Sequence, residues 1–121
     1  MPVLTADSPV LEVYYATTCA PCHAELGALA EVIQEGRDKL VIYLLTDAAS
    51  AREELAAASP SLPERTVALP DGADQRAVLR DAGDAEGILP FARVRTASGR
   101  VCAQWRGILT VTRIKKLLKS C

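Results

Sequence analysis

No apolar run in the sequence approaches the ~20 residues needed to span a bilayer. The opening stretch "MPVLTADSPVLEV" lacks the basic segment and long apolar core of a secretory leader. The chain is therefore expected to act in the cytoplasm if it is full-length, or outside it if a leader has been trimmed away. Charge of one sign is also missing. The formal net charge is −1, acids and bases are interspersed, and no basic block offers a nucleic-acid footprint. Cysteine is sparse: Cys19, Cys22, Cys102 and Cys121 are too few for a disulfide-dense scaffold. No repeat, linker or low-complexity segment interrupts the 121 residues, so residues 1–121 are expected to form one domain around one core.

What is present is an alternation of strand-like and helix-like segments. "VLEVYY", residues 10 to 15, is β-branched and aromatic and predicts a buried strand. From Cys22 the apolar positions Cys22, Leu26, Leu29, Ala30 and Ile33 have helical spacing, with Gly36 as stop and "GRDK" as turn. "LVIYLL", residues 40 to 45, predicts a central strand covered on both faces. Ser50 and Glu53 have capping-box spacing and predict a helix over residues 51 to 58. "SPSLPE" is a proline-broken loop, "RTVAL" a short strand, and "DGADQRAVLRDAG" a helix with Val78, Leu79 and Ala82 on one face and Gly83 as its stop. "FARVR" and "RVCAQW" around "TASG" predict a hairpin. Thr110 then caps a final helix striped by Val111, Ile114, Leu117 and Leu118, with Lys115, Lys116 and Lys119 near its C-terminal end. The order β-α-β-α-β-α-β-β-α implies a three-layer α/β fold with a mixed sheet.

Cys19 and Cys22 fall at the junction of the first strand and the first helix. Unpaired amides and the helix dipole there stabilise a thiolate, so Cys19 is expected to be the attacking sulfur. Pro21 suits a first helical turn, where its missing N–H was unpaired anyway, and stiffens the loop between the sulfurs. Cys22 lies on the apolar face and is expected to be the shielded, resolving sulfur. Three chemistries compete for such a pair. Zinc needs further ligands, and His23, Cys102 and Cys121 have no paired spacing. A purely structural staple closing so short a loop adds little stability. The strand–CxxC–helix context favours a redox pair.

The residues resemble the thioredoxin superfamily over almost the whole chain: "CAPC" after the first strand, Pro90 opening "PFARV", Gly99 in the hairpin and Gly107 before the last helix. The resemblance implies a cis proline at Pro90 facing the cysteines, with the backbone of Leu89 offered to an extended substrate. Within the superfamily the chain is most similar to TlpA/ResA-like thiol–disulfide oxidoreductases. These carry an extra β-α segment, here residues 50 to 83, and a C-x-x-C-x-x-E pattern matched by Cys19, Cys22 and Glu25. The implied activity is reduction of protein disulfides, with Cys19, Cys22 and Glu25 catalytic. Leu89, Pro90, Thr18 and Pro21 would face the substrate, and an upstream electron donor would restore the dithiol. Neither a metal nor an organic cofactor is required, and a monomer is expected. A partly desolvated Glu25 could exchange a proton with Cys22; the plainer reading is a solvated first-turn acid. Two departures stand out: Thr18 replaces the usual Trp before the first cysteine, and Val13 occupies the place of a common buried carboxylate.

The remaining candidates have plainer readings. His23 is expected to be solvated, although as a cation it could stabilise a thiolate. Cys102 reads as a small buried hydrophobe and Cys121 as an idle thiol on a frayed end. Trp105, Tyr14 and Tyr15 read as core or groove aromatics. Two other functions remain open: a non-catalytic thioredoxin-like binding module, and a metal-handling protein using Cys19, Cys22 and His23.

Overall fold

The computed structural model describes residues 9–34, 39–70 and 72–121. The expected Gly36 stop and the turn after it fall outside the described residues. The elements run β1 (Pro9–Tyr15), α1 (Ala20–Ala24), α2 (Leu26–Gln34), β2 (Lys39–Leu44), α3 (Ala48–Ala58), a 3-10 turn (Pro63–Arg65), β3 (Thr66–Ala68), α4 (Gln75–Asp81), β4 (Phe91–Thr96), β5 (Val101–Arg106) and α5 (Val111–Leu118).

The five strands form one sheet in the order β3-β2-β1-β4-β5. β1 pairs parallel with β2, and β2 with β3. β4 runs antiparallel to both β1 and β5. The parallel half follows from helical crossovers, and the antiparallel half from the tight hairpin. The period of two along β1 splits its side chains between two cores. Leu11, Val13 and Tyr15 pack with residues of α2, α3 and α5, while Tyr14 joins Phe91, Leu79 and Ala82 on the α4 side. The result is the expected three-layer α/β arrangement, with helices on both faces.

Four expectations change. The first helix is two pieces, because the Glu25 amide bonds the Cys22 carbonyl three residues back, interrupting the regular ladder. The third helix opens at Ala48 and is capped by Asp47, not Ser50; both the amide and the hydroxyl of Ser50 donate to the Asp47 carboxylate. α4 is shorter than expected and starts only after Asp74, whose carboxylate accepts from the amides of Arg76 and Ala77. The thiols of Cys102 and Cys121 are neither core filler nor idle, since they are joined in a disulfide with Cα atoms 5.3 Å apart. The bridge joins the second residue of β5 to Cys121, just beyond the end of α5.

One feature of "VLEVYY" was hidden by its apolar context. Glu12 is buried on the α4 side, where its carboxylate accepts from Arg93 Nε at 2.6 Å, Arg95 Nη2 at 2.9 Å and the Tyr43 hydroxyl at 2.9 Å. Arg93 also donates to the Ala82 carbonyl, fastening the end of α4 to the sheet. Hydrogen bonding to Glu12 and burial raise the Tyr43 hydroxyl to about 12, burial being the larger cause.

Candidate functional site

Cys19 is the N-cap of α1, in extended backbone, and its Sγ accepts the Cys22 amide at 3.2 Å. Pro21 occupies the first turn, as expected. The two sulfurs form a disulfide with Cα atoms 5.2 Å apart. Cys19 is half-buried and Cys22 is 0 % exposed, so only one sulfur of the pair is open to a reaction partner. The asymmetry expected from the sequence is present. The Cys22 amide that donates to Cys19 Sγ would stabilise its thiolate once the bond is reduced.

Glu25 sits at the break between α1 and α2 and is 1 % exposed, not solvated. Burial pushes its carboxyl up to about 8, partly opposed by the Leu109 amide, which donates to Oε1 at 3.2 Å. Val13, at the position of the missing carboxylate, is fully buried. Glu25 is thus a buried acid one helical turn beyond Cys22.

The Leu89–Pro90 peptide is cis, and the Pro90 carbonyl accepts the Gly107 amide at 3.3 Å. The segment after β5 therefore lies against Pro90 and supplies the amide that reaches Glu25. Leu89 and Cys19 border a groove of about 530 Å³ that is also lined by Thr18, Ala20, Pro21, Gln75, Arg76, Leu79 and Gly87. The fold thus brings Thr18, Cys19, Pro21 and Leu89 to one surface. Pro90 adjoins that lining, whereas Cys22 and Glu25 lie beneath it.

His23 is more constrained than expected. Its Nε2 lies 3.1 Å from the Thr17 carbonyl and 3.0 Å from Glu54 Oε1, and its ring stacks on Tyr15. Glu54 also accepts from the Tyr15 hydroxyl, whose pKa is raised by burial and by Glu54. α1 is thereby tied to α3, a contact that no local spacing announced. The run from Cys19 to His23 also has the C-x-x-C-H spacing of covalent haem attachment. The packing opposes that use, because Cys22 has no exposed surface and the His23 ring is turned to Thr17 and Glu54. Among the described residues no three His, Cys, Asp or Glu side chains cluster as a metal site. Trp105 lies under the Arg113 guanidinium, 3.9 Å from its centroid, while Tyr14 and Tyr15 are core residues.

Sequence reasoning missed Arg76, Leu79 and Gly87 in the groove wall, and Asp84 behind it. Asp84 is fully buried; its Oδ2 accepts the Ile88 amide at 2.9 Å, and Arg106 Nε lies 3.5 Å from Oδ1. The one available signal was an acid in "DAGDAEGILP" next to the proline.

Solved structures with the same architecture include a thioredoxin-related protein from Neisseria meningitidis serogroup B. It is 20 % identical, with 93 % of this chain and 84 % of that one covered at a TM-score of 0.75. A thiol:disulfide interchange protein of the thioredoxin family from Chlorobium tepidum aligns at 16 % identity, 96 % and 80 % coverage and a TM-score of 0.71. StoA from Bacillus subtilis aligns at 15 % identity, 92 % and 82 % coverage and a TM-score of 0.70. The chain matches no family model and no curated protein sequence. The fold is thioredoxin-like.

Proposed function

We propose that the protein is a thiol–disulfide oxidoreductase that reduces protein disulfides through Cys19 and Cys22. The observation that carries this reading is the asymmetric pair: a capped, accessible Cys19 bonded to a Cys22 with no exposed surface, beside a groove bounded by Leu89.

In the reduced protein, the Cys19 thiolate attacks one sulfur of a target disulfide. The target S–S bond breaks, a Cys19–target bond forms, and the departing target thiolate takes up a proton. Cys22 then gives its proton to the buried Glu25 in its ionised form, and the Cys22 thiolate attacks Cys19 Sγ. The Cys19–target bond breaks, the released target thiolate takes up the proton held by Glu25, and the target leaves as a dithiol, reduced by two electrons, while Cys19 and Cys22 are oxidised to a disulfide. A carboxyl held near 8 exchanges protons readily around neutral pH, whereas an ordinary carboxylate is too weak a base. A dithiol donor protein then returns the two electrons. Thr18, Pro21, Leu89 and Pro90 form the surface on which the target strand rests, and the protein works as a monomer of one domain. The Cys102–Cys121 bond supports action in an oxidising compartment, where such bridges persist.

Insulin reduction driven by dithiothreitol tests this reading. The wild type should accelerate precipitation of the insulin B chain, and Cys19→Ser should return the rate to that of dithiothreitol alone. Equal rates for the two proteins would leave a binding module with an inert pair.

A further inference from the structure

The groove beside Cys19 is mostly apolar or neutral: Ala20, Pro21, Leu79 and Leu89 supply apolar surface, and Thr18 and Gln75 are uncharged. Arg76 is its one charged lining residue. Its guanidinium makes no ion pair or hydrogen bond with any described residue. Asp74, two residues earlier, uses its Oδ1 to accept from the amides of Arg76 and Ala77. Gly87 explains why the arginine stem lies where it does. A Cβ on residue 87 would meet Arg76 Cγ at 2.5 Å, and the glycine has φ +65°, so the loop backbone and the methylene stem lie in direct contact. One unpaired cation is thus seated on the loop that leads to Leu89, in the same groove as the half-buried Cys19. Next to it Ile88 is 54 % exposed, extending the apolar surface beyond the groove.

We propose that this groove selects disulfide-bearing polypeptide segments that carry an acidic residue close to the cysteine, with Arg76 as the specificity-determining residue. The proposal rests on the oxidoreductase reading and names the substrate class of that site. A target strand laid beside Leu89 advances about 3.3 Å per residue, so a groove of this size sees only the first few residues on either side of the target sulfur. A carboxylate among them would find in Arg76 a partner that needs no other bond broken. A Lys or Arg there would meet a like charge.

The test uses three oxidised peptide substrates, identical except for Glu, Gln or Lys two residues from the disulfide cysteine, and compares kcat/KM at low salt. The wild type should rank Glu over Gln over Lys, with each step about 2- to 5-fold. Arg76→Gln should flatten the ranking, and Arg76→Glu should invert it, an outcome that partial misfolding cannot produce. Equal kcat/KM on all three peptides with wild type, or a ranking that survives in Arg76→Glu, overturns the proposal while leaving the oxidoreductase reading intact. Failure of the wild type to reduce any of the three overturns that reading and this one with it.

Discussion

The Leu109 amide donates to the buried Glu25 carboxylate at 3.2 Å, joining positions 84 residues apart in the chain. This bond links the break in the first helix to the segment entering α5. It gives the site a buried acid whose charge state is set by its surroundings. If Glu25 accepts the proton of Cys22, Glu25→Gln should form mixed disulfides at a near-normal rate but resolve them at least about 10-fold more slowly. Stopped-flow measurement of the two phases separates the steps. A normal resolution rate would remove Glu25 from the reaction.

The same acid makes stability depend on pH. Its folded value lies near 8 and its ordinary value near 4.5, so between them the folded protein holds a proton that the unfolded chain has released. Stability is therefore fully supported below about pH 4.5 and falls as pH rises towards 8. The slope approaches about 1.4 kcal/mol per pH unit. Urea midpoints for the wild type and Glu25→Gln between pH 5 and pH 8 should diverge, the variant losing that slope.

Cys102 and Cys121 bracket β5 and α5, including the segment that carries Leu109. The disulfide spans 19 positions. Closing a loop of this length is worth about 2–4 kcal/mol, mainly by restricting the unfolded chain. The double variant Cys102→Ser/Cys121→Ser should lose that amount in oxidised protein while its insulin reduction stays within about 2-fold of wild type. Equal denaturation midpoints would show that the bridge does not form in solution.

The order of elements was legible because hydrophobic period and turn chemistry are local. Thr110 and Gly83 marked true helix ends, and Pro90 marked the start of β4. The cysteine asymmetry was legible for the same reason: a helix N-terminus and an apolar face are read within a few residues. The bridge between Cys102 and Cys121 was not, since it joins positions 19 apart that only the packed fold brings together. The groove wall was not either, because Arg76 and Gly87 meet only when α4 packs beside the loop leading to Pro90. Glu12 was concealed by its neighbours, and its partners Arg93 and Arg95 lie on a strand 81 and 83 positions away.

Those arginines make the Glu12 cluster a test of buried charge. Arg93 is mostly buried and Arg95 partly exposed. Glu12→Ala should cost about 3–5 kcal/mol, because it leaves the Arg93 guanidinium without its counterion. Replacing the pair together, as Glu12→Leu/Arg93→Met, should recover much of the loss. A double variant no more stable than Glu12→Ala would mean that packing, not charge, dominates there.

Asp84 fastens the backbone just before Leu89. Its Oδ2 holds the Ile88 amide, immediately before Leu89 and Pro90, while its Oδ1 has no hydrogen bond and faces only Arg106 at 3.5 Å. Asp84→Asn retains an acceptor for the Ile88 amide, whereas Asp84→Ala leaves that amide unpaired at a cost of about 1–3 kcal/mol. If the bond sets the path of Leu89, Asp84→Ala should raise KM for a peptide disulfide by several-fold more than it lowers kcat, because target docking fails before sulfur chemistry does. Asp84→Asn should restore KM towards the wild-type value. Steady-state kinetics of both variants on one peptide check this, and a loss confined to kcat would place Asp84 outside substrate positioning.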